Sequence, residues 1–236
     1  MPAEPCTPRR LPTLAPGTPC PDCPATLAGV LRDVVAQRGR SCPLRCVRIA
    51  ARQPLAPGWA TGHGLALVRR GLVVRQRVDV NGSATAIDAV GPGGAIPLSD
   101  GDAGNAGYAA SEALICLCPS GVLASAIDGG NPSARDVVGL LRAALDRVER
   151  ISDARSRRTA VGRVAAALCT LADTLSSPRR LEVIPAALQQ RDLAGLLAMR
   201  HESVCRVMRA LERSGAVAKT TGGARIVDRA KLEAVA

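Results

Sequence analysis

Two short helical patterns that meet across a tight joint near the C-terminus constrain the fold of this chain more than any other feature. The first places apolar side chains on one face over 193–197, and the second repeats them at offsets 0, 3, 4 and 7 from Val204 to Leu211. Small alanine and glycine residues at the crossing allow the helices to pack closely. This arrangement is typical of a helix-turn-helix, whose second helix enters the DNA major groove by its N-terminal end. The sequence therefore predicts a DNA-binding domain.

The polar face of the second helix carries side chains that can contact a DNA duplex. An arginine can bond guanine O6 and N7 together, and a glutamate can accept a hydrogen bond from cytosine N4, so Arg206 and Glu202 are the leading candidates. They stand four residues apart, which leaves an ion pair within the helix as the alternative. The predicted DNA-contacting residues are Arg200, His201, Glu202, Ser203, Cys205, Arg206 and Arg209.

The charge of the whole chain points in the same direction. It has 31 Lys and Arg against 20 Asp and Glu, a formal net charge of +11 over 236 residues. Such an excess favours a polyanionic partner such as nucleic acid, although a general bias toward arginine would produce it too. With one Trp, one Tyr and no Phe, the core must be filled by alanine, valine and leucine.

Composition and periodicity divide the chain into four parts. Residues 1–24 form a Cys- and Pro-rich arm, and residues 25–132 combine a short helix with β-branched runs that Gly and Pro turns separate. Within them Asn81-Gly82 is the strongest hairpin signal. Residues 133–157 form a long helix, and residues 158–236 hold the helix-turn-helix and a two-stranded wing. The predicted fold class is α+β, with an N-terminal antiparallel β-roll, a long dimerisation helix and a C-terminal winged helix-turn-helix.

The long helix carries two apolar stripes. One recurs at the heptad spacings 4, 3, 4 and 3 over Val137, Leu141, Ala144, Val148 and Ile151. This seam predicts pairing with a second copy of the chain, and the other stripe, Val138 and Leu145, is then expected to pack on the roll. An ordinary helix packed on the roll is the alternative to a homodimer.

The order of arm, β-roll, long helix and winged helix-turn-helix resembles the catabolite-activator/fumarate-nitrate-reduction (CRP/FNR) family of bacterial transcription regulators. The family's recognition helix carries Glu-x-x-Ser/Gly-Arg, and here Glu202, Cys205 and Arg206 stand at those positions, with Cys205 as a departure. The resemblance implies a regulator and not an enzyme. It also implies a homodimer on a pseudo-palindromic double-stranded DNA operator, with RNA polymerase as a further partner and a roll of the cyclic-nucleotide-binding type.

The roll itself lacks the groups that hold a cyclic nucleotide in relatives. Those relatives carry a Gly-Glu motif for the ribose and an Arg-Ser/Thr-Ala motif for the phosphate. The matching stretches here, 93–98 and 105–110, contain neither the glutamate nor an arginine before Tyr108. A buried phosphate without a charged partner is costly, so no cyclic nucleotide is expected.

Nine cysteines offer another kind of sensor. The oxygen-sensing branch of the family holds a [4Fe–4S] cluster with three cysteines in the arm and one in the roll, which implies Cys20, Cys23 and Cys116 here. The close third arm cysteine is missing, and Cys42, Cys46 or Cys6 could replace it, as could Cys118 from the roll. At most four of Cys20, Cys23, Cys42, Cys46 and Cys116 would bind the cluster, which oxygen or nitric oxide would disassemble.

Other readings of the same residues stay open. A zinc site, a thiol–disulfide switch or plain buried thiols would also use the cysteines, and haem would need an axial ligand such as His63. A cysteine-based redox protein or a nonspecific DNA-binding protein are the competing functions. The N-terminus has no apolar leader and no apolar run reaches the roughly 18 residues of a membrane span, so a cytoplasmic protein is expected.

Overall fold

The computed structural model describes residues 44–99, 105–128, 132–175 and 183–236. These residues form two compact units. The first contains the described parts of 1–73 and 91–145, and the second contains 74–90 and those of 146–236. The predicted arm, the short helix before the roll and Cys20, Cys23 and Cys42 lie outside the described residues.

Ten strands are present in the described part of the chain. They are β1 (Arg45–Ile49), β2 (His63–Arg70), β3 (Val73–Val78), β4 (Ala84–Val90), β5 (Ala95–Pro97), β6 (Gly107–Ala109), β7 (Ala113–Pro119), β8 (Val183–Pro185), β9 (Val217–Thr220) and β10 (Gly223–Ile226).

Six helices accompany them in the same described ranges. They are α1 (Ser120–Asp128), α2 (Pro132–Ser156), α3 (Ala160–Leu175), α4 (Gln190–Leu196), α5 (His201–Arg213) and α6 (Arg229–Ala234). Among these helices, none has the length and hydropathy that crossing a bilayer would demand.

The first unit is built on an antiparallel sheet in the order β1-β7-β2-β5. One face of the sheet packs under α1 and the first turns of α2. Leucines, cysteines and valines fill the layer between them, since large aromatic residues are lacking. Its buried members are Leu44, Leu65, Leu67, Ala95, Cys116, Cys118, Val122, Ala126, Val137 and Leu140. The predicted antiparallel β-roll is confirmed.

The β3–β4 hairpin belongs to the second unit and turns where the sequence predicts it. Gly82 has a φ of 80°, in the left-handed region, and its N–H donates to Asp79 O at 3.0 Å. The Asp79 carboxylate also accepts from the backbone N–H groups of Asn81 and Ser83. The short polar side chain of Asp79 therefore stabilises the turn through hydrogen bonds to the turn's own backbone.

In the long helix, three of the five residues of the stripe that the heptad pattern assigned to a partner are buried. Val137, Ala144 and Ile151 are at most 1% exposed, whereas Val138 is 62% and Leu145 58% exposed. The expectation that Val138 and Leu145 pack on the roll is wrong. Adjacent apolar stripes on one helix are only about 100° apart, and the spacing alone does not say which of them faces the sheet.

The second unit contains the predicted winged helix-turn-helix. Helix α3 packs against α5 and α6, and β8, β10 and β9 form a three-stranded antiparallel sheet in that order. Strand β8 was not predicted, because Val183–Pro185 is too short for a period-2 pattern and ends in a proline. Its pairing with β10 adds a third strand to the two of the wing.

Candidate DNA-binding surface and cysteine pair

A tight turn sets the angle between the two helices of the helix-turn-helix. After α4, Met199 N–H donates to Ala194 O at 2.9 Å and Ala198 N–H to Gly195 O at 3.4 Å. This is the Schellman pattern, which requires a left-handed residue after the helix, and Ala198 takes that place with a φ of 50°. Arg155 donates two hydrogen bonds, to Leu196 O and to Ala86 O. The first of these acceptors lies in the last turn of α4, so Arg155 stabilises the turn between α4 and α5.

The buried faces of the two helices match the predicted periodicity. Val204, Val207, Met208 and Leu211 of α5 are all at most 6% exposed. They pack with the buried leucines of α4 and of the turn after it, Leu193, Leu196 and Leu197. Burial of one face leaves the opposite face of α5 to solvent.

The N-terminus of α5 is open, in contrast to that of α4. At α4 the Asp192 carboxylate accepts from the Gln189 N–H at 2.7 Å in a capping box. At α5 the N-cap residue Arg200 makes no capping hydrogen bond through its side chain. The first N–H groups of α5 therefore have no side-chain cap from Arg200, and the helix dipole adds positive potential at this end of the helix.

The predicted DNA-contacting residues lie at the N-cap and over the first nine residues of α5, on and beside its exposed face. Arg200, His201, Glu202, Arg206 and Arg209 are exposed, and Ser203 and Cys205 are half-buried. The described residues show no ion pair between Glu202 and Arg206.

The thiol of Cys205 lies 3.4 Å from His201 Nε2, one turn back along the helix. Cys205 therefore lies at the edge of the exposed face and not in the core.

The wing places two more cations on the same unit. Lys219 of β9 and Arg225 of β10 are exposed. Gly223, with a φ of 135°, lies where a Cβ would meet Ile184 O at 1.9 Å, so the close approach of β8 to β10 depends on this glycine.

Two of the predicted metal-binding cysteines are brought together in the first unit. Cys46 and Cys116 are direct partners in the β1–β7 ladder, and their Sγ atoms are 3.3 Å apart. Arg69 Nη1 donates to Cys46 Sγ at 3.5 Å. The hydrogen bond from Cys116 and then the Arg69 guanidinium lower the pKa of Cys46 to about 6, against the effect of burial. The same contact and burial raise the pKa of Cys116.

Other cysteines do not join this pair into a metal site within the described ranges. Cys118 is buried in the same core, and Cys169 lies half-buried on α3. No group of three or more His, Cys, Asp or Glu side chains suited to a metal occurs among the residues the structure describes. The predicted [4Fe–4S] cluster and the absence of a cyclic nucleotide stay predictions.

A buried ion cluster in the second unit was missed by the sequence reasoning. Asp88 of β4 is fully buried, and its Oδ2 accepts from Arg147 Nε at 3.1 Å and Arg75 Nη1 at 3.4 Å. Burial lowers the pKa of Arg147, and Asp88 opposes that shift. One signal was available: Arg147 occupies a position on the buried stripe of α2, three residues after Ala144.

Comparison with known proteins agrees with this architecture. Residues 162–235 match the family model of the Crp-like helix-turn-helix domain. FixK2 from Bradyrhizobium japonicum is similar in structure, with a TM-score of 0.67, 18% identity, and 81% of this chain and 96% of that chain covered. No curated protein matches the sequence.

Two further similar structures are transcriptional regulators from Thermus thermophilus. One, of the CRP family, has a TM-score of 0.60 and 22% identity over 80% of this chain and 95% of that chain. The other, of the CRP/FNR family, has a TM-score of 0.52 and 23% identity over 80% of this chain and 97% of that chain.

The protein therefore has the architecture of the CRP/FNR transcription regulators, as predicted. Its C-terminal region is a Crp-like helix-turn-helix domain. A domain of this type agrees with the prediction that the protein is not an enzyme. The predicted placement in the oxygen-sensing branch stays a prediction.

Proposed function

We propose that this protein is a homodimeric transcription regulator that recognises a specific sequence in double-stranded DNA. The observation that carries the proposal is the start of α5, where exposed Arg206 and Glu202 project from a helix whose other face is buried in a Crp-like domain. Arginine and glutamate read guanine and cytosine edges in the major groove. The open N-terminus of α5 and the arginines beside it suit the flanking phosphates.

Dimerisation supplies the second half of the recognition surface. The exposed stripe of α2 contains Val138 and Leu145, and the half-buried Leu141 and Val148 continue its heptad spacing. Exposed valine and leucine at these spacings suit a second copy of the same helix. Two-fold symmetry then calls for a pseudo-palindromic operator with half-sites about one helical turn apart.

The remaining partners follow from this role. A bacterial regulator on an operator acts in the cytoplasm and on transcription by RNA polymerase, which we expect as a contact in the operator complex. A regulator of this kind prefers one operator sequence, whereas a nonspecific DNA-binding protein would bind any sequence.

The test is selection of DNA from a random duplex library by the full chain, followed by sequencing. We expect a two-fold symmetric motif that survives excess competitor DNA. Enrichment without any motif would leave nonspecific binding and reject the proposal. Sedimentation of the protein on the selected duplex should show two chains per site.

The signal that controls the protein is expected to be a redox one. A [4Fe–4S] cluster would supply sensitivity to oxygen or nitric oxide, and it takes one thiolate on each of four irons. Cys46 and Cys116 do not fit two of these places as they stand, because their sulfurs are in contact at 3.3 Å. Iron and sulfide analysis of protein purified without air tests the cluster, and a colourless iron-free protein would remove it.

A further inference from the structure

The pairing of Cys46 with Cys116 has the geometry of a dithiol ready to oxidise. The two residues face each other across β1 and β7, and both are free thiols. Directly opposite residues have Cβ atoms about 4.5–5.5 Å apart, and a disulfide needs about 3.5–4.5 Å. The sulfurs need only approach from 3.3 Å to about 2.0 Å. Among the described strands of this sheet, β1 is the outermost and has β7 as its neighbour.

A β-bulge supplies a cation beside the pair. In the β2–β7 ladder Leu67 pairs with Cys116 and Val68 with Ile115, but the next pair joins Arg70 to Leu114. Arg69 is thus the extra residue of the bulge. Bulges redirect side chains, and this one aims the Arg69 guanidinium across β7 at Cys46 Sγ, 3.5 Å away.

The two thiols differ in access and in charge. Cys46 is half-buried and reachable by a small molecule, whereas Cys116 is 4% exposed and surrounded by the leucines of the core. The Arg69 guanidinium 3.5 Å from Cys46 Sγ favours a thiolate there, and the apolar side chains around Cys116 favour a protonated thiol. A cation beside an accessible thiol is the setting in which cysteines react with oxidants.

We propose that Cys46 and Cys116 form a peroxide-sensing site that closes reversibly into a cross-strand disulfide. The Cys46 thiolate attacks the outer oxygen of a small hydroperoxide and breaks the O–O bond. Cys46 becomes a sulfenic acid, and the departing oxygen takes up a proton to leave as water or an alcohol. The Cys116 sulfur then attacks Cys46 Sγ, the S–S bond forms and water leaves with the thiol proton. Two thiols lose two electrons, which the hydroperoxide accepts, and a dithiol reductant restores them by exchange.

The location of the site connects it to the proposed regulator. Cys116 and Cys118 share their core with Val137 and Leu140 of α2, and Cys46 and Leu141 pack at its edge. A covalent bond between β1 and β7 changes the surface on which the dimerisation helix begins. The inference deepens the redox control proposed above, but its test uses no DNA, so the failure of one leaves the other standing.

The test treats the reduced full chain with hydrogen peroxide, alkylates the remaining thiols in denaturant and maps the cysteine peptides by mass spectrometry. We expect loss of two hydrogens per chain, a peptide pair that joins Cys46 to Cys116, and recovery of both thiols after a dithiol reductant. Cys46 and Cys116 that stay fully alkylated while other cysteines oxidise would overturn the proposal. Iron bound by these two thiols in the purified protein would also overturn the proposal.

Variants separate the roles within the site. Cys116→Ser should leave a sulfenic acid at Cys46 that a dimedone probe captures, and Cys46→Ser should prevent the linked peptide. Cys118→Ser is the matched control, because Cys118 lies two residues further in the same core and should not affect the linkage. Arg69→Gln should slow oxidation of Cys46 severalfold with an unchanged circular dichroism spectrum. If Cys118→Ser instead removed the linkage, the resolving thiol would be Cys118 and the assignment of Cys116 would be wrong.

Discussion

At the scale of single residues, the exposed face of α5 predicts a specificity defect. Arg206→Ala should reduce discrimination at one base position of each half-site by about 1–3 kcal/mol, because a bidentate contact to guanine is lost. Arg213→Ala, in the last turn of the same helix and also exposed, is the control and should leave base preference intact. Binding of single-base operator variants measures both. An Arg206→Ala variant with the original base preference would place the recognition contact elsewhere.

The left-handed alanine in the turn predicts a gain in stability. Ala198 has a φ of 50°, where a Cβ is unfavourable, and its side chain is exposed. Ala198→Gly should therefore raise the free energy of unfolding by up to about 1 kcal/mol, as measured by urea denaturation. Ala210→Gly, within α5, should change it by a similar amount in the opposite direction. Equal losses in both variants would show that the strain at Ala198 is negligible.

At the scale of elements, the exposed stripe of α2 predicts a break in the dimer. Leu145→Asp places a charge in the middle of that stripe and should weaken dimerisation at least about tenfold, equivalent to about 1.4 kcal/mol. Because Leu145 is 58% exposed in one chain, the fold of that chain should persist. Ala143→Asp is the matched control, since Ala143 is exposed on another face of α2. Sedimentation equilibrium distinguishes them, and a dimer in both variants would place the interface elsewhere.

The Asp88 cluster joins β3, β4 and α2 and predicts a large loss of stability. Asp88→Asn leaves the Arg147 charge, 7% exposed, without its carboxylate and should lower the free energy of unfolding by about 3–5 kcal/mol. Asp146→Asn, at the neighbouring exposed position, should have almost no effect. Thermal and urea unfolding measure both. If Asp88→Asn lowered the free energy of unfolding by less than about 1 kcal/mol, the ion pair would behave like one on the surface, which would contradict its buried position.

At the scale of the whole molecule, the net charge of +11 predicts strong dependence of DNA binding on salt. Each phosphate that the protein neutralises releases counterions, so a dimer with about 6–10 phosphate contacts should lose about 10³–10⁵ in affinity between 50 and 200 mM salt. Titrations of the selected operator at several salt concentrations give the slope. If the wing touches phosphate, Lys219→Ala and Arg225→Ala should each reduce the steepness of log affinity against log salt concentration by about one, the contribution of one phosphate contact. An unchanged slope in both would exclude the wing from the interface.

Prediction from sequence succeeded where structure is local. The helices of the helix-turn-helix, the hairpin at Asn81-Gly82 and the last strand of the roll follow from periodicity and turn residues within a few positions of one another. The exposed residues of α5 could be named in advance because a helix of known phase decides which of its side chains face solvent, and their role in DNA recognition stays a prediction.

What the sequence by itself determined, then, is the class of these local elements and which residues of α5 are exposed. Only the tertiary structure decided which stripe of α2 is buried, that Asp88 meets Arg75 and Arg147, and that Cys46 meets Cys116 across 70 residues of chain. The β1–β7 register sets that last contact and the bulge in β2 sets the place of Arg69 beside it, and register depends on pairing between distant segments. A shift of one residue would turn Cys46 to the other face of the sheet, although nothing in the local pattern would change.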